Sequence, residues 1–247
     1  MDSISISAAA GLRSRMEALD LLSNNLANSS TAGYKADKEF YSLFQAEDAG
    51  ISFDGMAKAT QPKIQKGWTD FRQGLLQPTG NPLDVALTGK GFFSVTGPAG
   101  TMFTRNGAFK LTADGTLATM DGYPVNGSGG ASIKANSTGP IQISSNGTLM
   151  QGGQSIGQIE VVDFTDPSIL NKAGSSYFTA PRRTDRGTPA PDALMEQGKV
   201  EASNVDPAES AVRLVELMRQ YEMLQKAITS SADMNKRATD DLARVGP

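Results

Sequence analysis

Two stretches of the sequence hold side chains that could act on a substrate or bind a ligand. Asp163 and Asp166, in VVDFTDP, are spaced so that two carboxylates could share a metal ion or an acid–base reaction, but no further acidic cluster lies nearby. The glycine-rich GKGFF of residues 89–93 fits neither a Walker A loop nor a dinucleotide fingerprint. We therefore interpret the first stretch as a strand end followed by a turn, and the second as a hairpin or bulge.

Three basic side chains form the next candidate: Arg182, Arg183 and Arg186, in PRRTDRGTPAP. Their setting indicates a long surface loop over residues 175–194. A solvated loop accounts for them, and contact with an acidic neighbouring subunit is the alternative. The chain holds 23 Lys and Arg against 26 Asp and Glu, without a long run of one sign, which disfavours nucleic acid or an anionic membrane as a partner.

The 247 residues include no histidine and no cysteine. The chain therefore lacks a ready general base near neutral pH, a thiol nucleophile and the ligands of a zinc or iron–sulfur site. Catalysis would have to rest on strongly perturbed carboxylates, Lys, Ser or Tyr. The composition argues against an enzyme, and we predict no catalytic residue, no cofactor and no metal site.

The N-terminal segment MDSISISAAAGLRSRMEALDLL lacks the basic start and the continuous apolar stretch of a cleavable secretory signal. No apolar run approaches the roughly 18 residues that indicate a membrane span. We expect no membrane span and, if the protein leaves the cytoplasm, export without a cleaved signal peptide.

The elements that would position these side chains fall into three zones, and the first is a helix over about residues 3–28. Apolar residues recur along it at three- and four-residue steps: Ala9, Leu12, Met16, Leu19 and Leu26. Ser23 fills the remaining seam position. This period predicts an amphipathic helix.

The middle zone, about residues 36–200, loses the helical period and is rich in pairs that favour hairpin turns. These pairs are Asp54-Gly55, Asn106-Gly107, Asp114-Gly115, Asp121-Gly122, Asn126-Gly127 and Asn146-Gly147. Segments with strand character lie between them, at residues 92–95, 108–111, 141–143 and 159–162. The pattern predicts an antiparallel β domain, a barrel or a sandwich. Residues 36–75 are interpreted as an extended connector with a short helix or a hairpin, and Phe40, Tyr41 and Phe44 could extend a helix.

The last zone is a long helix ending near residue 243. Asp206 as N-cap, Pro207 at the first position and Glu209 closing a capping box predict its start. A heptad seam follows, flanked by Leu217 and Leu224. The seam consists of Ala211, Leu214, Met218, Tyr221, Ile228, Ala232 and Leu242.

The simplest interpretation of the two terminal helices is a helical hairpin packed on the β domain. Their seams also hold polar side chains, such as Ser23 and Gln225, which contribute little beside the roughly 1.5–3 kcal/mol of a buried Leu. We therefore expect an α+β fold in which the helices pair as a coiled-coil-like element. Copies of the protein or its relatives would supply the further surfaces that this element needs.

Three blocks of the sequence resemble one known family. LSNNLANSSTAGYK, residues 22–35, resembles the N-terminal signature of the bacterial flagellar rod and hook proteins, N-L-A-N-x-x-T-x-G-[YF]-[KR]. NPLDVALTGKGFFSV and TRNGAFKLTADGTL, residues 81–95 and 104–117, resemble the β-domain core of that family. VEASNVDPAESAVRLVELMRQYEM, residues 200–223, resembles its C-terminal block. The short chain looks most like a proximal rod subunit, and distal rod or hook-type subunits are the alternatives.

The resemblance implies a structural subunit of the flagellar rod, the drive shaft, which polymerises through its terminal helices into a hollow axial tube. Such a tube transmits torque and lets export substrates pass. The implied segments are an N-terminal axial helix with its signature (1–35), a connector (36–75), a β-rich outer domain (76–200) and a C-terminal axial helix (201–247). Implied partners are copies of itself, other rod proteins, the type III export apparatus and the surrounding basal-body rings, without nucleic acid or a small-molecule substrate. The implied location is the periplasm-spanning rod of the basal body.

The resemblance and the seams together predict a subunit interface. Its N-terminal members are Leu12, Met16, Leu19, Asn24, Asn25, Leu26, Ala27, Asn28, Thr31, Gly33, Tyr34 and Lys35. Its C-terminal members are Ser203, Asn204, Val205, Leu214, Leu217, Met218, Tyr221, Leu224 and Ile228. We interpret the amides and hydroxyls around Asn25 as hydrogen-bonding groups for the C-terminal helix and for neighbouring subunits.

Two alternatives come from other functional classes. A peptidoglycan-cleaving β domain would need two carboxylates flanking a cleft, and no spacing in the sequence singles out such a pair. A soluble adaptor or export chaperone would be an all-helical chain, which the hairpin-rich centre disfavours.

Overall fold

The computed structural model describes residues 3–45, 60–136, 139–182 and 185–244. The chain divides into two units. The helical unit consists of Met1–Ala27, Asp37–Trp68 and Asp206–Pro247. The β unit consists of Asn28–Ala36 and Thr69–Val205.

Two helices dominate the helical unit: α1 (Ser3–Ala27) and α2 (Pro207–Arg244). The predicted start of α2 is confirmed, because the side chain of Asp206 accepts hydrogen bonds from the backbone N–H groups of Ala208, at 2.9 Å, and Glu209, at 3.2 Å. These bonds satisfy donors that have no partner inside the first helical turn. The predicted extents of both helices agree with the structure to within a residue or two.

Strands β1 (Asp37–Gln45) and β2 (Thr60–Thr69) form a two-stranded sheet. Phe40, Tyr41 and Phe44 therefore lie in a strand, and the alternative that they extend a helix is wrong. Aromatic side chains are common in strands, so this outcome agrees with their intrinsic preference. The Asp54-Gly55 pair lies outside the described residues.

The two helices contact each other through a small apolar cluster. Ala18 and Leu22 of α1 are buried together with Leu217 of α2. A side chain placed on Gly11 would come within 3.8 Å of a methyl group of Leu224. Because Gly11 precedes Ala18 while Leu224 follows Leu217, the two helices run antiparallel.

The β unit is built from short strands joined by turns and one 3-10 helix (Pro167–Ile169). In chain order its strands are β3 (Leu76–Pro78), β4 (Val85–Thr88), β5 (Phe92–Gly97), β6 (Gly100–Thr104), β7 (Phe109–Leu111), β8 (Leu117–Thr119), β9 (Ile141–Ile143), β10 (Thr148–Gln151), β11 (Gln154–Gln158), β12 (Val161–Asp163), β13 (Asn171–Lys172), β14 (Tyr177–Thr179), β15 (Thr188–Pro189), β16 (Leu194–Gln197) and β17 (Lys199–Glu201).

The largest sheet has six strands in the order β13-β14-β6-β5-β12-β15, and all its pairs are antiparallel. A three-stranded sheet, β11-β10-β9, and the pairs β16-β4, β17-β3 and β7-β8 complete the unit. The prediction of an antiparallel, β-rich centre is confirmed. Within the described part of the chain, none of these sheets closes into a barrel.

The six-stranded sheet is apolar on both faces. Phe93 and Val95 of β5 belong to the larger core, whereas Phe92, their neighbour in the same strand, packs with Phe103 and Phe178 in a second core. Successive side chains of a strand point to opposite faces, which places adjacent phenylalanines in different cores. A sheet covered on both sides explains why these strands show continuous apolar runs rather than alternation.

The predicted turns have mixed outcomes. Asp114-Gly115 joins the paired strands β7 and β8, and Asn146-Gly147 joins β9 and β10, as expected. Asn106-Gly107 does not close a hairpin, since β6 and β7 lie in different sheets. A Cβ on Gly107 would lie 1.7 Å from the carbonyl oxygen of Val85, so this glycine permits a close approach of two chain segments. The predicted loop over residues 175–194 instead contains β14 and β15.

Candidate functional site

The most buried charges of the described chain surround Glu201, at the end of β17. The ammonium group of Lys35 donates hydrogen bonds to its Oε1 atom and, at 2.7 Å, to the carbonyl oxygen of Arg72. The side chains of Lys35 and Glu201 are both 0% exposed. An ion pair fully removed from water needs such additional hydrogen bonds, because desolvating two charges is costly.

Arg105 brings a second cation to the same carboxylate. Its Nη1 donates to Oε2 of Glu201 at 3.2 Å, and its Nη2 donates to the carbonyl oxygen of Gly89 at 2.7 Å. The guanidinium also lies 5.4 Å from the centroid of the Phe92 ring, within the range of a cation–π contact. The backbone N–H of Gly74 donates to Oε1 at 2.9 Å, so both oxygens of Glu201 are hydrogen-bonded.

Burial dominates the electrostatics of this network. It lowers the pKa of Lys35 and the pKa of Arg105, and the attraction of Glu201 opposes the shift in both cases without cancelling it. Two buried cations share the carboxylate of Glu201, and Asp70 and Asp163 add weaker attractions to Lys35 and Arg105 respectively. The network can therefore hold chain segments in place, while its charges have little contact with solvent or with any substrate.

Asn204 joins backbone segments beside the network. Its Oδ1 accepts from the N–H of Ala36 at 2.8 Å, and its Nδ2 donates to the carbonyl oxygen of Asp70 at 2.7 Å. Asp70 and Ala36 are themselves joined by an N–H to carbonyl bond of 2.8 Å. Asn204, Ala36 and Asp70 all belong to the β unit, so this side chain joins three chain segments within that unit.

Gly33 lies beside the same network and close to the backbone of another chain segment. Its backbone has a φ of +69°, and a Cβ there would lie 2.2 Å from the backbone nitrogen of Asn106. Its N–H donates to the carbonyl oxygen of Glu201 at 2.7 Å. The left-handed conformation and the lack of space both require glycine. This explains the glycine of the signature from contacts inside the chain.

Tyr34 is also fully buried, with Ala36 and Val205 in one small apolar cluster. The ammonium of Lys172 lies 4.0 Å from the centroid of the Tyr34 ring and donates to the carbonyl oxygen of Lys35 at 2.8 Å. The sequence signature Gly33-Tyr34-Lys35 is therefore part of the interior of the β unit.

Asn25 also has partners within the chain. Its side-chain amide exchanges two hydrogen bonds with the backbone of Asp37, at 2.7 and 3.0 Å. The Thr31 hydroxyl donates to Oδ1 of Asn28 at 3.2 Å. Groups within the chain therefore already form hydrogen bonds with Asn25, Asn28 and Thr31, and the role of these side chains in contacts between subunits stays a prediction. Ser203 has a similar local role, and its hydroxyl accepts from the N–H of Val205 at 3.2 Å.

The remaining predicted interface residues lie on the two helices and their ends. Leu217 is buried between them, and Leu19 and Leu214 pack against the same cluster. Half-buried members are Leu12, Leu26, Tyr221, Leu224 and Ile228. Exposed members are Met16, Asn24, Ala27 and Met218. The face of α1 in this cluster is centred on Ala18 and Leu22, and Leu19 is the predicted seam residue of α1 that packs against it among the residues described.

The sequence did not single out Arg105 or Glu201. Each lies in a block that resembles the family, within a short apolar or glycine-rich run, TRNGAF and KVEAS. A charged residue flanked in this way is the signal that could have marked them, since burial of a charge requires a partner. Their pairing with Lys35 could not be inferred from spacing.

The other candidate stretches have structural roles. Asp163 ends β12, and Asp166 caps the 3-10 helix by accepting from the N–H of Ser168 at 3.0 Å. Hydrogen bonding with the side chain of Ser168, and then with its backbone, lowers the pKa of Asp166. This agrees with the predicted strand end and turn. Arg182 and Arg186 are exposed, and Arg183 lies outside the described residues. Among the described residues no group of acidic side chains is arranged to hold a metal ion, and no helix is long and apolar enough to cross a membrane.

The fold and the buried network are those of a structural protein, in which charges join distant chain segments. Models of known families match the chain in each of the three blocks that resemble the rod and hook proteins. The family described as flagella basal body rod protein matches residues 6–35, the flagellar hook protein FlgE/F/G D1 domain matches residues 86–151, and the flagellar basal body rod FlgEFG protein C-terminal region matches residues 196–241.

Individual relatives cover nearly the whole chain. The flagellar basal-body rod protein FlgF of Caulobacter vibrioides is 33% identical over 92% of this chain and 92% of its own length. FlgF of Mesorhizobium japonicum is 31% identical over 93% of each chain, and FlgG of Caulobacter vibrioides is 31% identical over 95% of this chain and 97% of its own. The chain belongs to the family of flagellar basal-body rod proteins, which is a structural family and not one of enzymes.

Proposed function

We propose that this protein is a structural subunit of the bacterial flagellar rod and assembles through its terminal helices with copies of itself and with other rod proteins. The FlgF-type, proximal position in the rod is our first choice, and the FlgG-type, distal position is the alternative. In this role the helices line a hollow axial tube that passes export substrates, and the β unit lies outside them. Export by the flagellar type III apparatus, without a cleaved signal peptide, would deliver the subunit to the periplasm-spanning rod.

One observation carries this proposal: α2 keeps large apolar side chains exposed after α1 has packed against it. Val212, Val215 and Met218 are 62%, 50% and 50% exposed. An exposed apolar row along a helix is typical of a surface that another helix covers, since each such side chain contributes about 1.5–3 kcal/mol on burial. We propose that α1 and α2 pair as a coiled-coil-like element whose outer face is completed by neighbouring subunits.

The buried network supports this role. A rod that transmits torque needs subunits whose segments keep a fixed arrangement. The bonds of Glu201 and Asn204 fix the chain where it enters and leaves the β unit. We propose that Gly33, Tyr34, Lys35, Asn204 and Val205 contribute to assembly by fixing these segments rather than by direct contact.

The experiment that tests this proposal replaces two exposed apolar side chains of α2 by glutamate. Val215→Glu with Met218→Glu should abolish incorporation into basal bodies purified from a strain that lacks its own copy, while the circular dichroism and thermal unfolding of the purified chain stay unchanged. Met120→Glu, at an equally exposed position of the β unit, is the control. Normal incorporation of the double variant would refute assembly through α2.

A further inference from the structure

The methionines differ in exposure, and those open to solvent include four on the terminal helices and Met120 of the β unit, which is 59% exposed. Of the 10 in the sequence, Met102 and Met195 are buried in the larger core of the β unit. By contrast, Met16 of α1 is 55% exposed, and Met218, Met223 and Met234 of α2 are 50%, 61% and 64% exposed. Large thioethers so open to solvent on both terminal helices call for an explanation, because burial is usual for methionine.

Two of these thioethers belong to a regular row. Val212, Met223 and Met234 follow one another at intervals of eleven residues and are 62%, 61% and 64% exposed. Eleven residues make about three helical turns, so the three side chains lie on one line along α2, spaced by roughly 16 Å. Leu217, which packs on α1, lies off this line. These three side chains are therefore exposed apolar groups on one side of α2, with exposed polar residues such as Arg219 and Ser230 between them, and they are in keeping with the proposed contact between subunits.

Methionine gives such a surface a particular chemistry. Its thioether is flexible and polarisable, which suits packing against a neighbouring helix. A hydroperoxide converts it to a sulfoxide: the sulfur lone pair attacks one peroxide oxygen, the S–O bond forms as the O–O bond breaks, and the leaving oxygen takes a proton to become water or an alcohol. The sulfur loses two electrons and the side chain becomes polar. The chain has no cysteine that could react first.

We propose that Met16, Met218, Met223 and Met234 form a peroxide-sensitive modification site, and that their oxidation before assembly prevents the subunit from joining the rod. This inference rests on the proposed function, since it assumes that the helices carry the contacts between subunits. Conversion of several apolar contacts to polar sulfoxides should weaken association by about tenfold or more.

The first arm of the test maps the modification. The purified full chain is treated with dilute hydrogen peroxide and digested, and oxidation of each peptide is followed by mass spectrometry. The four helix methionines should be oxidised well before Met102 and Met195. Equal rates for the exposed and the buried residues would refute the site.

The second arm tests the consequence with glutamine, whose polarity imitates the sulfoxide and which favours helices. The four-fold variant, with Gln at Met16, Met218, Met223 and Met234, should fall at least tenfold in basal-body incorporation. The matching four-fold Leu variant should incorporate normally and stay competent in peroxide-treated cells. Met120→Gln with Leu194→Gln, at positions of the β unit that are 59% and 53% exposed, is the control.

The outcomes separate the two proposals. Normal incorporation of the four-fold Gln variant would overturn the inference and leave the rod function standing. If the unmodified chain itself failed to enter basal bodies, the proposed function would fail while the oxidation map remained. Loss of the β-unit unfolding transition in the Gln variant would assign its defect to folding and would also count against the inference.

Discussion

Lys35 and Glu201, 166 residues apart in the sequence, form an ion pair in which neither side chain reaches solvent. Arg105 shares the carboxylate, and the carbonyl oxygens of Arg72 and Gly89 take up other donors of the two cations. Buried ion pairs add little net stability, but leaving one member without its partner is severely destabilising. The pair therefore selects one arrangement of the segments around it.

Glu201→Gln should lower the free energy of unfolding by about 3–5 kcal/mol, because it removes the carboxylate that pairs directly with two buried cations. Urea unfolding followed by near-ultraviolet circular dichroism measures the change. Glu196→Gln is the matched control, since Glu196 also pairs with a lysine, Lys199, at 2.7 Å, but at the surface. Similar losses in both variants would contradict the role assigned to burial.

The lowered pKa of Lys35 predicts a dependence of stability on pH. Between the folded-state pKa and the ordinary value of 10.5, the unfolded chain binds more protons at this residue than the folded chain does. The free energy of unfolding contributed by Lys35 should therefore rise as pH increases through that window. The stability of the wild type relative to Lys35→Met should increase towards alkaline pH, and a constant difference would exclude the effect.

Tyr177 should make the free energy of unfolding depend on pH in the opposite direction from Lys35. Burial and the 2.6 Å hydrogen bond from its hydroxyl to Asp121 raise the pKa of Tyr177 above its ordinary value of 10.0. Its stabilising contribution is complete below that value and is lost as pH rises further. Absorbance titration of the 5 tyrosines should show a component that ionises only with unfolding, and Tyr177→Phe should reduce this component by one tyrosine. If all five titrated together in the folded chain, the prediction would be wrong.

Gly33→Ala should destabilise the β unit far more than Gly80→Ala. Both glycines have positive φ, +69° and +73°, but a Cβ at Gly80 meets nothing within 4 Å, whereas one at Gly33 meets backbone. Gly80→Ala should cost about 1–2 kcal/mol from backbone strain alone. Thermal unfolding of the two variants measures the difference, and comparable losses would show that the close approach to Asn106 relaxes easily.

Leu214→Asp and Val212→Asp should separate pairing within the chain from assembly. Leu214 packs against the cluster of Ala18 and Leu217, whereas Val212 is exposed. Both changes should block incorporation into basal bodies, but only Leu214→Asp should speed hydrogen exchange in α1. Unchanged exchange in Leu214→Asp would contradict the packing of the helix pair.

Several elements could be predicted from short-range patterns. The Asp206-Pro207 start of α2, the extents of both helices and the strands around Phe93 and Ile141 follow from capping chemistry and local spacing. The motif of residues 22–35, together with the blocks at 81–117 and 200–223, indicates the family. Residues 36–75 were less certain, because their aromatic residues suit a helix or a strand until the pairing of β1 with β2 decides between them.

The sequence by itself determined the two terminal helices, the β-rich centre, the family and the likeness of Gly33-Tyr34-Lys35 to a signature, because these depend on neighbours a few residues away. Only the tertiary structure decided that Lys35 meets Glu201 and Arg105, and that α1 packs on α2 through Ala18 and Leu22. The sequence around a charged residue does not indicate a partner 166 residues away. Adjacent helix faces with similar apolar content can be distinguished only by what packs against them. Burial is a property of the assembled chain, so it had to be seen there.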